Sequence, residues 1–232
     1  MTATVLLNID LGELPDESPA LYAFADVASI ACGGHAGDVD SMRCAVERCR
    51  ASGTRVGAHP SYPDREGFGR QPMEFGAPAL RAVVAEQCAR LVAIATAAGE
   101  PVVYVKAHGA LYHAAREQAA TAEAVLDAVL DVLGTGAVVI GPAHGELARA
   151  AAHKRLQYAR EAFADRGALP DGTLIPRDRP GALLLDPADA AARARVLASR
   201  GDVDTLCVHG DTPGAVDVAR AVRAALDTLR RP

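Results

Sequence analysis

Short apolar runs that read as β-strands alternate with amphipathic stretches along the chain, and most of these runs lead to a histidine, a lysine or a carboxylate. Val5-Leu6-Leu7 leads to Asp10 and Glu13, Ser29-Ile30-Ala31 to His35, and Arg55-Val56-Gly57-Ala58 to His59. Val102-Val103-Tyr104-Val105 leads to Lys106 and His108, Val138-Val139-Ile140 to His144, and Thr205-Leu206-Cys207-Val208 to His209. Gln157-Tyr158-Ala159 is a weaker sixth strand, leading to Glu161. Strands that alternate with helices form a parallel sheet with right-handed crossovers. Every C-terminal strand end then lies on one side, so polar residues far apart in sequence converge there. An open doubly wound sheet gathers such residues at one switch point, whereas a closed barrel takes them after every strand. The distribution favours a barrel of about seven β/α units, with 1–232 as a single domain.

The helical segments follow the expected spacing. A short helix is predicted over 21–27. Met42, Ala45, Val46 and Cys49 share one face of a helix over 41–51, which Gly53 stops. Further helices are predicted over 79–97, 120–133, 146–153 and 188–197. Ala215, Val218, Val222, Ala225, Leu226 and Leu229 form the apolar face of the last one, with Thr212 as its N-cap and Pro213 at its first position. Two connections exceed the usual length, over 59–76 and 162–187. Both leave the polar side, where long ordered loops serve as lids or binding loops.

Composition narrows the class of function. A net charge of −5 and the lack of a basic run argue against nucleic-acid binding. No uncharged apolar stretch reaches the ~18 residues of a membrane span, and the first residues carry no basic start or apolar core of a signal peptide. Five cysteines without a Cys-x-x-Cys pattern imply reduced thiols and a cytoplasmic protein. Cys44 and Cys49 are expected to pack as apolar residues.

Five segments carry chemistry. In Asn8-Ile9-Asp10-Leu11-Gly12-Glu13, two carboxylates at a strand end suit metal ligation or general-base work. In Gly33-Gly34-His35-Ala36-Gly37-Asp38, glycines free the backbone around a histidine, and Asp38 either joins the site or caps the next helix. Cys32 is close enough in sequence to His35 to be considered as a nucleophile. His59, between a strand and Pro60, is rigidly held, as a ligand or a base requires. Lys106 and His108 share a face if the chain is still extended there. His209-Gly210-Asp211 precedes a helix N-terminus, a ready anion site. Asp10, His59, His108 and His209 together suit zinc or another divalent ion. No P-loop pattern occurs.

At these segments the chain resembles the LamB/YcsF family, the A subunits of 5-oxoprolinase. The matching blocks are NIDLGE (8–13), ACGGHAGD (31–38), GAHPSYPDREGFGR (57–70), VKAHGALY (105–112), EAFADRGALPDGTLIP (161–176) and CVHGDTPGAVDVA (207–219). The resemblance implies a distorted seven-stranded β/α (TIM-like) barrel similar to the polysaccharide-deacetylase-like barrels. It implies ATP-dependent opening of 5-oxo-L-proline to L-glutamate, by an assembly in which such a chain works with two partners, the B and C subunits. The blocks carry over Asp10, Glu13, His35, Asp38, His59, Lys106, His108, Glu161, His209 and Asp211 as site residues. Gly34, Ser61, Ala107, His113 and the Gly167-Ala168 pair depart from the family's usual residues and reshape the pocket rim. On this reading Asp10 or His59 is the base, and Lys106 with His108 binds developing negative charge. Lys106, Arg70 or Arg166 meets the substrate carboxylate. ATP is the expected cofactor, with Mg²⁺ or a protein-bound divalent metal beside it, and a homo-oligomer is allowed. Two other readings use the same residues: a metal-dependent carbohydrate or amide hydrolase working without ATP, and a non-catalytic substrate-binding protein of the same assembly.

Overall fold

In the computed structural model, residues 4–169, 173–177 and 179–229 are described. Seven parallel strands close into a barrel in sequence order. They are β1 (Leu6–Leu11), β2 (Val27–Ala31), β3 (Arg55–His59), β4 (Val102–Lys106), β5 (Val138–Pro142), β6 (Gln157–Phe163) and β7 (Thr205–His209). Closure comes from β1 pairing with β7, which sets Asp10 opposite His209. The helices are α1 (Ala20–Phe24), α2 (Val39–Ser52), α3 (Ala77–Ala97), α4 (Gly109–Glu117), α5 (Ala119–Leu133), α6 (Glu146–His153), α7 (Pro187–Ser199) and α8 (Ala215–Leu229). None of them is long and apolar enough to cross a membrane.

Alternation along the strands separates two interiors. Leu7, Ile9 and Leu11 are fully buried and belong to the large core beneath the helices. Asn8 and Asp10 take the opposite face, as a period of two requires, and point into the barrel. The barrel floor is plugged by a small separate cluster of Val27, Tyr104, Ile140 and Ala159. Gly57 makes room for this plug, since a Cβ there would lie 3.1 Å from the Tyr104 Cβ. Above the plug the interior turns polar, with Lys106 on β4, Glu161 on β6 and Cys207 on β7 all buried.

Several boundaries differ from the sequence reading for local reasons. Val27 opens β2 instead of closing the first helix, which ends at Phe24. Helix α2 starts at Val39 because the exposed Asp38 caps it, its carboxylate accepting the Ser41 amide at 2.8 Å. At its end Gly53 adopts a left-handed φ of 74°. Helix α8 begins at Ala215, so Thr212-Pro213 is not its N-terminus, and the Thr212 hydroxyl has no partner among the described residues. Helix α4 opens at Gly109, directly after His108, and only Gln118 separates it from α5, so no turn residue marks it off in the sequence. Cys49 is buried as expected, but Cys44 on the same helix is exposed. In the second long connection, Pro170 and Gly172 lie outside the described residues.

Candidate active site

The C-terminal strand ends surround a cavity of about 790 Å³ with Asp10, His59, Lys106, His108, Glu161 and His209 on its walls. Strand pairing sets the order of these groups. Ala31 on β2 registers with His59 on β3, and Asp10 on β1 with His209 on β7. Two clusters result, sharing Asp10 and His59 as their border.

The first cluster centres on Lys106. Its ammonium lies 2.8 Å from Asp10 Oδ1, 2.9 Å from Glu161 Oε1, 3.1 Å from Asn8 Oδ1 and 3.0 Å from Cys207 Sγ. An ammonium has three hydrogens, so these acceptors saturate it. Burial works against the charge on Lys106, but Asp10, Cys207 and Glu161 outweigh it and hold its pKa well above the usual lysine value. Asp10 is the mirror case: burial raises its pKa, yet the charges of His59 and Lys106 hold it well below the carboxylate range. On the β7 side, His209 Nδ1 lies 2.9 and 3.1 Å from the two Asp165 oxygens, and the His209 amide donates to Asp165 at 2.8 Å. His209 Nε2 faces Asp10 Oδ2 at 3.9 Å, and Phe163 stacks on the ring. Burial raises the Asp165 carboxyl, and the His209 charge and hydrogen bonds bring it below its usual value.

The second cluster is imidazole-rich. Gly12 leaves β1 with a φ of 72°, and its amide donates to Glu17 Oε2 at 2.7 Å, turning Glu13 back over the barrel mouth. Glu13 Oε1 lies 2.9 Å from His35 Nε2, 3.3 Å from His108 Nδ1 and 3.8 Å from His59 Nε2. His35 and His108 stack with centroids 3.6 Å apart. Burial pulls the His35 pKa down to about 4 against the Glu13 hydrogen bond, and lowers that of His108 for the same reason. His59 goes the other way: burial lowers its pKa, but the charge and hydrogen bond of Asp10, with the charge of Glu13, raise it overall. The 59–76 connection folds over these rings. Gly69, at a φ of 68°, packs so closely that a Cβ would lie 2.7 Å from the His35 Cβ and 2.9 Å from His108 Cδ2. Phe68 beside it has a φ of 54°, a left-handed geometry costly for an aromatic residue.

The remaining site candidates are placed elsewhere. Asp38 is exposed at the α2 cap. Arg70 and Asp211 pair with each other, and the Arg70 guanidinium sits 4.7 Å from the Phe68 ring centroid. Arg166 lines the cavity but donates to the Ala182 and Ile175 carbonyls at 3.1 and 2.8 Å, stapling the 162–187 connection. Lys106 is saturated and buried, so it offers the substrate no spare donor. Cys32 is fully buried, with its thiol donating to the Ile30 carbonyl at 3.0 Å and burial pushing it up to about 12, so it is not placed as a nucleophile. Among the departures from the family's usual residues, Gly34 and Ser61 meet: a Cβ on Gly34 would strike the Ser61 hydroxyl and the Gln87 amide. Gln87 holds the Ser61 backbone on both sides, at 3.0 and 2.8 Å. Asn8 and Asp165 escaped the sequence reading. Asn8 stands two residues before Asp10 on the same strand face, and Asp165 follows β6 as the other site residues follow their strands.

Residues 5–230 match the LamB/YcsF family. The 5-oxoprolinase A subunit of Methylococcus capsulatus is 44% identical, covering 97% of this chain and 93% of its own. A solved lactam utilization protein from Thermus thermophilus superposes with a TM-score of 0.90 at 35% identity, over 98% of this chain and 97% of that one. A T48 deacetylase shares the fold alone, with a TM-score of 0.54 at 12% identity over 98% of this chain and 85% of that one. A seven-stranded barrel bearing these two clusters, matched along its length to such relatives, belongs to the LamB/YcsF family.

Proposed function

We propose that this chain is the A component of an ATP-dependent 5-oxoprolinase, which opens 5-oxo-L-proline to L-glutamate with two partners, the B and C subunits, in the cytoplasm. The observation that carries this reading is the buried acid–base ring on the cavity wall, in a chain 44% identical to a relative named as the A component of 5-oxoprolinase.

A five-membered lactam is a stabilised amide with a poorly electrophilic carbonyl. Transfer of the ATP γ-phosphoryl group to the lactam oxygen releases ADP and activates the ring carbon. Water then adds to that carbon. The ring C–N bond breaks, the nitrogen leaves as the amine with a proton, and the resulting acyl phosphate is hydrolysed by a second water.

His209 is the best placed base for the water. A carboxylate accepts at Nδ1, so Nδ1 carries the hydrogen and Nε2 presents its lone pair to the cavity. Asp165 is a positioning residue behind it. This replaces Asp10 and His59 in that role, because Asp10 is already engaged by Lys106 and the inner nitrogen of His59 faces other acceptors. The substrate carboxylate falls to the arginines of the outer wall, Arg70 first, by exchange with Asp211.

The test is glutamate release from 5-oxoproline, with and without ATP, by this chain alone and with both partners. ATP-dependent release by the mixture supports the reading. Release by the folded chain alone without ATP moves the assignment to an ATP-independent amide or carbohydrate hydrolase, which the imidazole cluster also favours. Full activity of the mixture when His209→Gln is used would make this chain a non-catalytic binding component.

A further inference from the structure

We infer that Glu13, His35, His59 and His108 form a binding site for one transition-metal ion of the zinc type, bordering the Asp10–Lys106–His209 cluster at the 3.4 Å contact of His59 with Asp10. The inference rests on hydrogen-bond accounting and does not depend on the lactam reading.

His59 Nδ1 lies 2.8 Å from the Lys106 carbonyl, and His108 Nε2 lies 2.9 Å from the Phe68 carbonyl. A carbonyl oxygen has no hydrogen to give, so both of those nitrogens are the donors. A neutral imidazole carries one ring hydrogen. With both imidazoles neutral, His59 Nε2 and His108 Nδ1 are bare lone pairs, and they face each other at 2.9 Å. Glu13 Oε1, another acceptor, stands 3.8 Å from the first and 3.3 Å from the second. Asp10 Oδ2 also lies 3.4 Å from His59 Nε2, so the acceptors gathered in this buried site call for a cation, either a proton held on His59 or a metal ion. The nearby ammonium of Lys106 is turned away, toward Asp10 and Glu161.

A shared proton would satisfy one pair of these atoms. A metal ion satisfies the whole set and brings in His35, whose Nε2 is 2.9 Å from the same Glu13 oxygen. The four donor atoms lie within 4.8 Å of one another. A tetrahedral zinc site with arms of ~2.0–2.1 Å has donor–donor edges of ~3.3 Å, and the separations above bracket that value. Backbone carbonyls that fix ligand tautomers from behind are the usual support of histidine metal sites. Here one of them, from Phe68, is delivered by a left-handed residue, and Gly69 lets that loop lie against His35 and His108. Three imidazoles and one carboxylate select Zn²⁺, Co²⁺ or a neighbouring first-row ion over Mg²⁺. The donor set shares His59 and His108 with the one expected from sequence, but replaces Asp10 and His209 with Glu13 and His35. His209 is held apart by Asp165, and Asp10 by Lys106.

The test uses the full chain, freed of metal with a chelator and then titrated with Zn²⁺ and with Co²⁺. The expected result is one ion per chain, with visible Co²⁺ bands of a nitrogen–oxygen site and no thiolate charge-transfer band. Glu13→Gln and His108→Gln should each weaken Zn²⁺ binding by roughly 100-fold or more. Cys207→Ser and Asp165→Asn should leave stoichiometry and Co²⁺ spectrum unchanged. Circular dichroism establishes that each variant is folded, and a Zn²⁺-induced rise in the wild-type melting temperature gives a reading that needs no variant. Substoichiometric uptake by the folded wild type overturns the site. So does a folded Glu13→Gln or His108→Gln chain that binds normally, or a thiolate band lost in Cys207→Ser. A proton shared between His59 and His108, seen by NMR in a chain that takes up no metal, also overturns it. None of these outcomes depends on turnover, so the metal site and the lactam reading fail separately.

Discussion

The two halves of the barrel mouth handle buried charge in opposite ways. On the side of β4, β6 and β7, two carboxylates close on one ammonium, and Asp10, Lys106 and Glu161 are paired within 2.9 Å. On the side of β2 and β3, three imidazoles close on the single carboxylate of Glu13. The first half carries its cation covalently, as a lysine. The second gathers acceptors around His59 and His108, and the cation proposed for it is a bound metal ion. Each half meets the same requirement, that a buried charge be paired, but on that proposal only the second is loaded and unloaded. The permanent half suits orienting and proton transfer, and the loadable half suits a bound ion.

Replacing the covalent cation is the most severe way to break this comparison. Lys106→Met leaves Asp10 and Glu161 facing each other in a buried site. It should cost about 3–5 kcal/mol in denaturant unfolding, with loss of turnover. An unchanged midpoint would mean that the ion pair is not what holds this half together. Asp165→Asn should be gentler on the fold and hard on chemistry. With the His209 tautomer no longer enforced, kcat of the reconstituted complex should fall by about 10²–10⁴, with KM nearly unchanged. A change confined to KM would remove His209 from the proton path.

Gly69→Ala reports on the other half. A Cβ there meets His35 and His108 at a left-handed backbone position, and a cost of about 1–3 kcal/mol is expected from melting. Weakened Zn²⁺ binding should accompany it, because the Phe68 carbonyl shifts. Asp38→Ala should lower the melting temperature by less than Gly69→Ala, through loss of the α2 cap, with turnover unaffected. A fall in kcat/KM without destabilisation would return Asp38 to the site.

The smallest effect is expected away from both halves, at the Arg160–Asp204 pair on the far end of the barrel. The Arg160 guanidinium holds the Asp204 carboxyl below its usual value. Its contribution is thus present above the unfolded pKa of ~3.9 and is lost as pH falls through the lower folded value. Both partners are more than a third exposed, so the contribution is below ~1 kcal/mol. The wild-type advantage over Asp204→Asn should vanish in acid unfolding, and an advantage that grows as pH falls would reverse this assignment.

Alternation of apolar runs and helical faces was enough to read a parallel β/α architecture, because a period of two or 3.6 is written directly in residue order, and the polar residues after nearly every strand favoured its closure into a barrel. The residues at the strand ends were legible for the same reason: each follows its own strand. Their grouping was not. Asp10, His59, His108 and His209 looked like one metal set. Nothing in residue order shows that Lys106 draws Asp10 to one side, that Asp165 holds His209, or that the Gly12 turn brings Glu13 over His59 and His108. Asp38 was legible as a cap or as a site residue, and only its exposure and its bond to Ser41 distinguish the two.

By itself, then, the sequence determined the run of β/α repeats and the side of the barrel that carries the chemistry, since both follow from local periodicity and chain direction. Tertiary structure alone decided which histidine nitrogens are tied to backbone carbonyls, which cation is already taken, and where one cluster ends and the next begins. Those are matters of distances between strands and loops remote in sequence, and of carbonyls such as Phe68 and Lys106 that have no side-chain signature.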